Sequence, residues 1–312
     1  MEKSTKLNLL GQLLLLLATI AWGTSFFVLK ETIEEVPQNY VLAIRFLLAS
    51  GILAIIFNKN LKTINKITVK RGVTLGVILV CAYVVQTWGL RFTTPSRNAF
   101  LTAIYCVISP FLVWLMLKVK PKAYNLVSAF LCIAGVGFVS FAGGDEGGLN
   151  TMLGDGLTLI GAVFYSLQII FIDKYQTEGH SPSNLLIVEL LTVGIVCTVL
   201  SLTTELPFAE GGFSIYKLNL EQFLKILYLT VACTAFAQFA QMFGQKHASP
   251  NQASLILSLE AVFGTLFSVI FGIEKLTLGL IVGFIVIFVA IMVTEFKVDF
   301  SKLLGGKKSI DK

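Results

Sequence analysis

"QTWGLRFTTPSRNAFLTAIYCVISPFLVWLMLKVK", residues 86–120, and "QMFGQKHASPNQASLILSLEAVFGTLFSVIFGIEK", residues 241–275, are one pattern written twice. They align without a gap at an offset of 155, pairing Gln86 with Gln241, Gly89 with Gly244, Pro95 with Pro250 and Lys120 with Lys275. Agreement among Leu, Ile and Val is cheap in an apolar chain. Agreement of Gln, Gly, Pro and Lys in one register is not. The match extends outward more loosely. "NYVLAIRFLLASGILA" resembles "SNLLIVELLTVGIVCT" at an offset of 144, which sets Arg45 against Glu189. "LATIAWGTSFFVLK" resembles "LIGAVFYSLQIIFIDK".

The repeated units are hydrophobic throughout. Of 312 residues, 55% are hydrophobic and 13% charged, and mean hydropathy is +0.82. Soluble domains carry about 25% charged residues, so lipid is the expected solvent. Ten apolar stretches approach the roughly 20 residues that cross a hydrocarbon core: residues 9–30, 39–57, 72–92, 96–117, 123–142, 153–173, 183–203, 222–244, 251–272 and 277–296. Backbone groups in lipid must be satisfied within the segment, which makes each stretch helical. "LLLLLATIA" lacks the alternation of a barrel strand. The first stretch exceeds a signal-peptide core and has no A-x-A site after it, so it is expected to be retained.

The expected fold is an all-α membrane protein of ten transmembrane helices, arranged as two inverted five-helix repeats. Five spans per half is an odd number, so the second half enters the membrane from the opposite side. The halves cover residues 1–142 and 153–297, with a linker over 143–152, where "AGGDEGGLN" is rich in glycine, and a tail over 298–312. With a cytoplasmic N-terminus, inner loops and tails hold seventeen Lys and Arg, against five outside: Lys30, Arg91, Arg97, Lys217 and Lys275. That asymmetry places both termini in the cytoplasm. It also explains the net charge of +6 without nucleic acid.

"WGTSFFVLK" in the first span looks like the W-G-x-x-F-x-x-x-K pattern of EamA-type members of the drug/metabolite transporter superfamily. "AIRFLLASGIL" resembles the R-F-x-x-A stretch of their second helix, and "GLRFTTPSRNAFLTAIYCVISPFL" their helix 3–4 signature. The resemblance implies ten helices in an inverted five-plus-five plan. It also implies export or exchange of small metabolites by alternating access in the cell membrane. The second copy has Thr265 where the first has Pro110.

A solute pathway needs polar groups in register on helix faces. Thr234, Gln238, Gln241 and Gln245 recur at helical steps, as do Asn98, Thr102, Tyr105 and Ser109. Tyr83 and Gln86 are the repeat equivalents of Gln238 and Gln241. Thr158, Tyr165 and Gln168 stripe the sixth span, and Thr19, Trp22 and Ser25 or Phe26 the first. Amides facing lipid would leave donors unpaired, so the stripes should face inward. Trp22, Tyr83, Gln86, Asn98, Thr102, Tyr105, Tyr165, Gln168, Gln238, Gln241 and Glu260 are therefore the expected substrate-binding residues. Such an amide- and aromatic-walled cavity suits an amino acid, a nucleobase or an organic cation equally well.

Glu260 is the repeat equivalent of Tyr105. An intramembrane carboxylate is a functional candidate, with three roles open: proton coupling, binding a cationic group, or a structural pair. Arg45 and Glu189 read as structural, Arg45 snorkelling outward or pairing with Glu34 or Glu35. Lys30 and Lys174 read as interfacial anchors. Gly23 and Pro110 are the expected bends, and Gly279 with Gly283 a close-packing pair at a homodimer face.

Cys81, Cys106, Cys132, Cys197 and Cys233 lie inside spans and read as small hydrophobes. His180 and His247 have no ligand-spaced partners, and neither metal nor cofactor is expected. No G-x-x-x-x-G-K-[ST], H-E-x-x-H or G-x-S-x-G is present. "GDGLTLIGAVF" is glycine-rich but opens a span. These features favour a secondary carrier over an enzyme. A channel, a lipid-flipping protein and a membrane-bound sensor are the competing classes.

Overall fold

The computed structural model describes residues 2–118, 120–141, 149–209, 212–247, 256–273, 275 and 277–296, and every regular element among them is a helix. In chain order they are α1 (Glu2–Glu35), α2 (Gln38–Ile56), a short α3 (Asn58–Leu61), α4 (Lys66–Phe92), α5 (Pro95–Ala103), α6 (Tyr105–Leu117), α7 (Ala123–Phe141) and α8 (Leu149–Thr177). There follow α9 (Pro182–Leu200), α10 (Leu220–Thr230), α11 (Ala237–His247), α12 (Glu260–Ile270) and α13 (Leu278–Glu295). A π-helical stretch, Val231–Phe236, joins α10 to α11. Seven helical segments among the described residues are long and apolar enough to cross a membrane, and three shorter apolar helices accompany them. Pro250 and most of the 143–152 linker lie outside the described residues, as do residues 251–255 of the ninth expected span.

Local chemistry sets the helix starts. Asn65 caps α4 by accepting from Thr68 N–H at 2.8 Å. Thr94 caps α5, with Pro95 at the first helical position where its missing N–H costs nothing. Asn219 and Gln222 form a reciprocal capping box on α10, at 2.8 and 3.0 Å. The outward faces are apolar: Ile55, Phe130 and Ile133 are 75, 72 and 74% exposed. A water-soluble fold would bury such side chains, whereas acyl chains solvate them.

Helix packing follows one exchange rule. α1 packs against α11 and α12, while α8 packs against α4, α5 and α6. α2 packs on α9, and α7 on α13. Each half thus lends its first helix to the third and fourth spans of the other. The exchange reaches single glycines. Gly89 lies under the Gly154 carbonyl where α4 crosses α8, and Gly244 lies under the Gly11 carbonyl where α1 crosses α11; a Cβ would meet these oxygens at 2.7 and 3.0 Å. Small residues let helices approach closely where hydrophobicity offers no drive.

Both fourth spans break at matching positions. The helix stops at Ile104 between α5 and α6, and turns at Leu259 before α12. These residues are 155 apart, the repeat offset. Pro110 lies inside the continuous α6, so the expected bend is displaced upstream. Thr265 replaces that proline in the second half, yet the break recurs there. The break therefore does not need the proline. Gly23 lies within the unbroken α1 and serves contact, not bending: a Cβ there would meet Phe263 Cβ at 2.5 Å. Gly283 likewise is engaged within the chain, its carbonyl 3.1 Å from where a Gly135 Cβ would sit. That approach lies between α7 and α13.

One cap crosses from half to half. Pro37 precedes α2 and supplies no side-chain cap. Instead the Glu205 carboxylate accepts from the N–H groups of Asn39 and Tyr40, at 2.7 and 3.2 Å, and from the Ser201 hydroxyl at 2.6 Å. A carboxylate at a helix N-terminus meets both the orphan donors and the positive end of the dipole. Glu205→Ala is expected to lower stability by about 1–2 kcal/mol, and Glu205→Gln by less, read as thermal unfolding in detergent.

Candidate functional site

A cavity lies where α1, α2, α4, α5, α6, α8, α11 and α12 converge, and all eleven expected residues line it. α1 presents Trp22, α4 presents Tyr83 and Gln86, and the broken fourth span presents Asn98, Thr102 and Tyr105. From the other half come Tyr165 and Gln168 on α8, Gln238 and Gln241 on α11, and Glu260 at the start of α12. The space open to small molecules inside is about 40 Å³. That is room for about three waters, so a larger solute requires the walls to part.

The amides bond chiefly to hydroxyl and carboxyl groups of neighbouring helices. Gln86 Nε2 donates to Thr102 Oγ1 at 2.8 Å, and Tyr165 Oη donates to Gln86 Oε1 at 2.7 Å. Asn98 Nδ2 donates to Thr158 Oγ1 at 2.7 Å. Gln241 Nε2 donates to Gln168 Oε1 at 3.4 Å, and Gln168 Nε2 to Glu189 Oε1 at 2.9 Å. Gln238 Nε2 reaches the Tyr83 hydroxyl at 3.3 Å. Positions 83 and 238 are 155 apart, the repeat offset. The Tyr83 and Tyr165 rings meet edge to face, 5.5 Å between centroids. Trp22 Nε1 donates to the Cys233 carbonyl at 3.0 Å. Walls so cross-linked are stiff and hold few free polar atoms.

Other stripe residues have structural partners. Ser109 pairs with Ser166 at 2.7 Å, Thr19 donates back to the Leu15 carbonyl at 2.7 Å, and Thr158 receives Asn98. Gln245 is half-buried and does not line the cavity.

Arg45 overturns its sequence reading. It neither snorkels nor pairs with Glu34 or Glu35. It is 1% exposed and lines the cavity. Its Nε donates to Thr234 Oγ1 at 2.8 Å, and the guanidinium sits 5.4 Å from both the Phe46 and Tyr83 ring centroids. Glu34 instead faces Lys30 at 3.8 Å, and Glu35 accepts from Gln222 at 2.8 Å. The available signal was position: Arg45 sits well inside a span, like Glu260. Glu189 is wholly buried beneath Gln168, outside the lining.

Lys30 is more than an anchor. Its Nζ donates to the carbonyls of Leu90 and Arg91, both at 2.9 Å, tying α1 to the end of α4. Leu29 and Leu90 line the cavity. The next residues, Lys30 and Arg91, line a polar recess of about 730 Å³ shared with Glu31, Glu34, Arg97 and Lys275. Leu29 and Leu90 on the cavity wall are thus followed in the chain by residues of the recess wall.

The EamA-like transporter family matches this chain twice, over residues 9–141 and 152–296. An uncharacterized transporter of Archaeoglobus fulgidus is 28% identical over 270 residues, covering 86% of this chain and 80% of that protein. A second uncharacterized transporter of that organism is 24% identical over 274 residues, covering 84% and 89%. One crystal structure shares the fold with a TM-score of 0.67 at 13% identity, covering 97% of this chain and 99% of that one.

Proposed function

The chain belongs to the EamA-like transporter family and is a multi-pass membrane transporter of a small-molecule substrate, and we propose that it moves small metabolites such as amino acids by alternating access, as an exporter or exchanger. The observation that carries this reading is the cavity itself, enclosed by polar and aromatic side chains from both halves.

In this reading residues 1–142 and 153–297 are two inverted five-helix repeats, joined by the 143–152 linker and followed by a 298–312 tail. The exchanged helix packing, the paired breaks at Ile104 and Leu259, and the Tyr83–Gln238 contact support a two-fold relation between them. Inverted repeats with discontinuous helices at the centre are a recurrent carrier design. The positive-inside distribution supports cytoplasmic termini in a cell membrane. Trp22, Tyr83, Gln86, Asn98, Thr102, Tyr105, Tyr165, Gln168, Gln238, Gln241 and Glu260 bind the solute. Leu29, Leu90 and Lys30 form the gate toward the recess, and the opposite end of the cavity opens when it closes.

Glu260 supplies proton coupling, being a carboxylate at the wall of the solute cavity. In proteoliposomes the wild-type protein accumulates labelled amino acids when a pH gradient is imposed. Glu260→Gln abolishes that accumulation. Gradient-driven uptake unchanged in Glu260→Gln removes the coupling role. Flux that does not saturate in either protein marks a channel instead.

A further inference from the structure

We propose that Arg45 and Glu260 are the two charged poles of one binding site, and that the solute carries a carboxylate for Arg45 and an ammonium for Glu260. The proposal rests on the transporter reading of the cavity and narrows its substrate class.

Arg45 has one neutral hydrogen-bond partner, Thr234 Oγ1. That hydroxyl donates to the Leu229 carbonyl at 2.8 Å, which leaves its lone pairs for the arginine. Nη1 and Nη2 have no partner among the described residues. A guanidinium cannot shed its charge, and an unpaired buried charge is strongly unfavourable. The two nitrogens form a planar fork that matches a carboxylate with two parallel bonds.

Across the same cavity Glu260 is 5% exposed, and its Oε1 has no partner among the described residues. Among those residues no ion pair joins Arg45 to Glu260 or to Glu189. A guanidinium and a carboxyl group thus share one enclosed space with no ion pair between them. Asn98 Oδ1 is another unpartnered acceptor there. The remaining amides are committed to the walls.

An occupant with one charge satisfies one pole and leaves the other stranded. A nucleobase satisfies neither, and an organic cation lacks the carboxylate. A zwitterion satisfies both at once. Discrimination against analogues lacking one end is then large, because rejection arises from a buried group left unpaired.

The test uses purified full-length protein in proteoliposomes. Uptake is read by mass spectrometry from four mixtures: free amino acids, their carboxamides, their deaminated carboxylic acids, and adenine with choline. Wild type is expected to take up free amino acids at least tenfold faster than either single-ended analogue. Arg45→Gln brings amino-acid uptake down to the rate of the carboxamides, and Arg45→Lys, which keeps charge but loses the fork, falls between. Where Arg45→Gln fails to run as a single species in detergent, competition on wild type decides: excess carboxamides must leave amino-acid uptake unchanged. Carboxamides carried or competing as well as free amino acids overturn the role of Arg45 and leave the transporter reading standing. Saturable uptake of adenine or choline alone does the same. No saturable uptake from any mixture overturns the transporter reading, and this inference with it.

Discussion

Asp155→Ala is expected to cost about 3–5 kcal/mol and to leave little protein that survives detergent extraction, because it strands Arg97 in the interior. Arg97 and Asp155 are each 2% exposed. Arg97 Nε donates to Asp155 Oδ1 at 3.3 Å, its Nη2 donates to Oδ2, and the Thr93 hydroxyl donates to Oδ1 at 2.8 Å. The pair ties the end of α4 and the start of α5 to the start of α8, beside the Gly89–Gly154 crossing. Removing the carboxylate leaves a guanidinium that cannot discharge. Removing both charges leaves nothing to solvate. The double variant Arg97→Met, Asp155→Leu should therefore recover most of the loss, measured as the temperature at which the monodisperse detergent peak disappears. Equal damage from the single and double variants would assign the cost to shape and not to stranded charge.

That pair marks where sequence reading stops. Arg97 was counted with the outer-loop charges, and Asp155 was passed over in a glycine-rich span start. The signal was available: each opens a span, at the end of the membrane that the positive-inside count assigns to both. The helices and their inward faces were legible because burial imposes a period of 3.6 on polar residues. This is why the stripes through Gln86, Thr102, Gln168 and Gln241 converge on one cavity. Periodicity gives a residue's face but not its depth or its neighbours. Arg45 was misread for that reason, since a long cation one to two turns inside a span can either snorkel or turn inward. Pro110 misled differently. A missing N–H weakens one bond, yet the second half breaks at the equivalent residue with no proline, so the shared packing of the fourth spans sets the break. Gly23, Gly135 and Gly283 show the same limit. A glycine in an apolar run announces closeness, and only the fold says to what.

Gly23→Ala is expected to reduce transport tenfold or more, while Gly51→Ala leaves it unchanged. Both glycines lie inside helices, so both exchanges gain about 1 kcal/mol of helix propensity. Their surroundings differ. A Cβ on Gly51 meets nothing within 4 Å. A Cβ on Gly23 meets Phe263 Cβ at 2.5 Å, the Phe263 carbonyl carbon at 2.9 Å and Gly264 N at 3.0 Å. Two of those atoms are backbone and cannot rotate away, so α12 itself must move. Overpacking of this kind costs about 1–3 kcal/mol, which cancels or exceeds the helical gain. The displaced helix carries Glu260 one turn from the contact, and Trp22 adjoins Gly23 on α1; both line the cavity. Gly264 sits against Ala99 on α5, where its own Cβ would meet the alanine Cβ at 2.7 Å, so the shift passes on to the other broken span. Stability in detergent should drop by about 1 kcal/mol or more relative to Gly51→Ala, with the larger effect in proteoliposome uptake. Near-normal uptake by Gly23→Ala would mean that α1 and α12 separate freely during transport, which would make this crossing a moving gate and not a fixed hinge of the cavity.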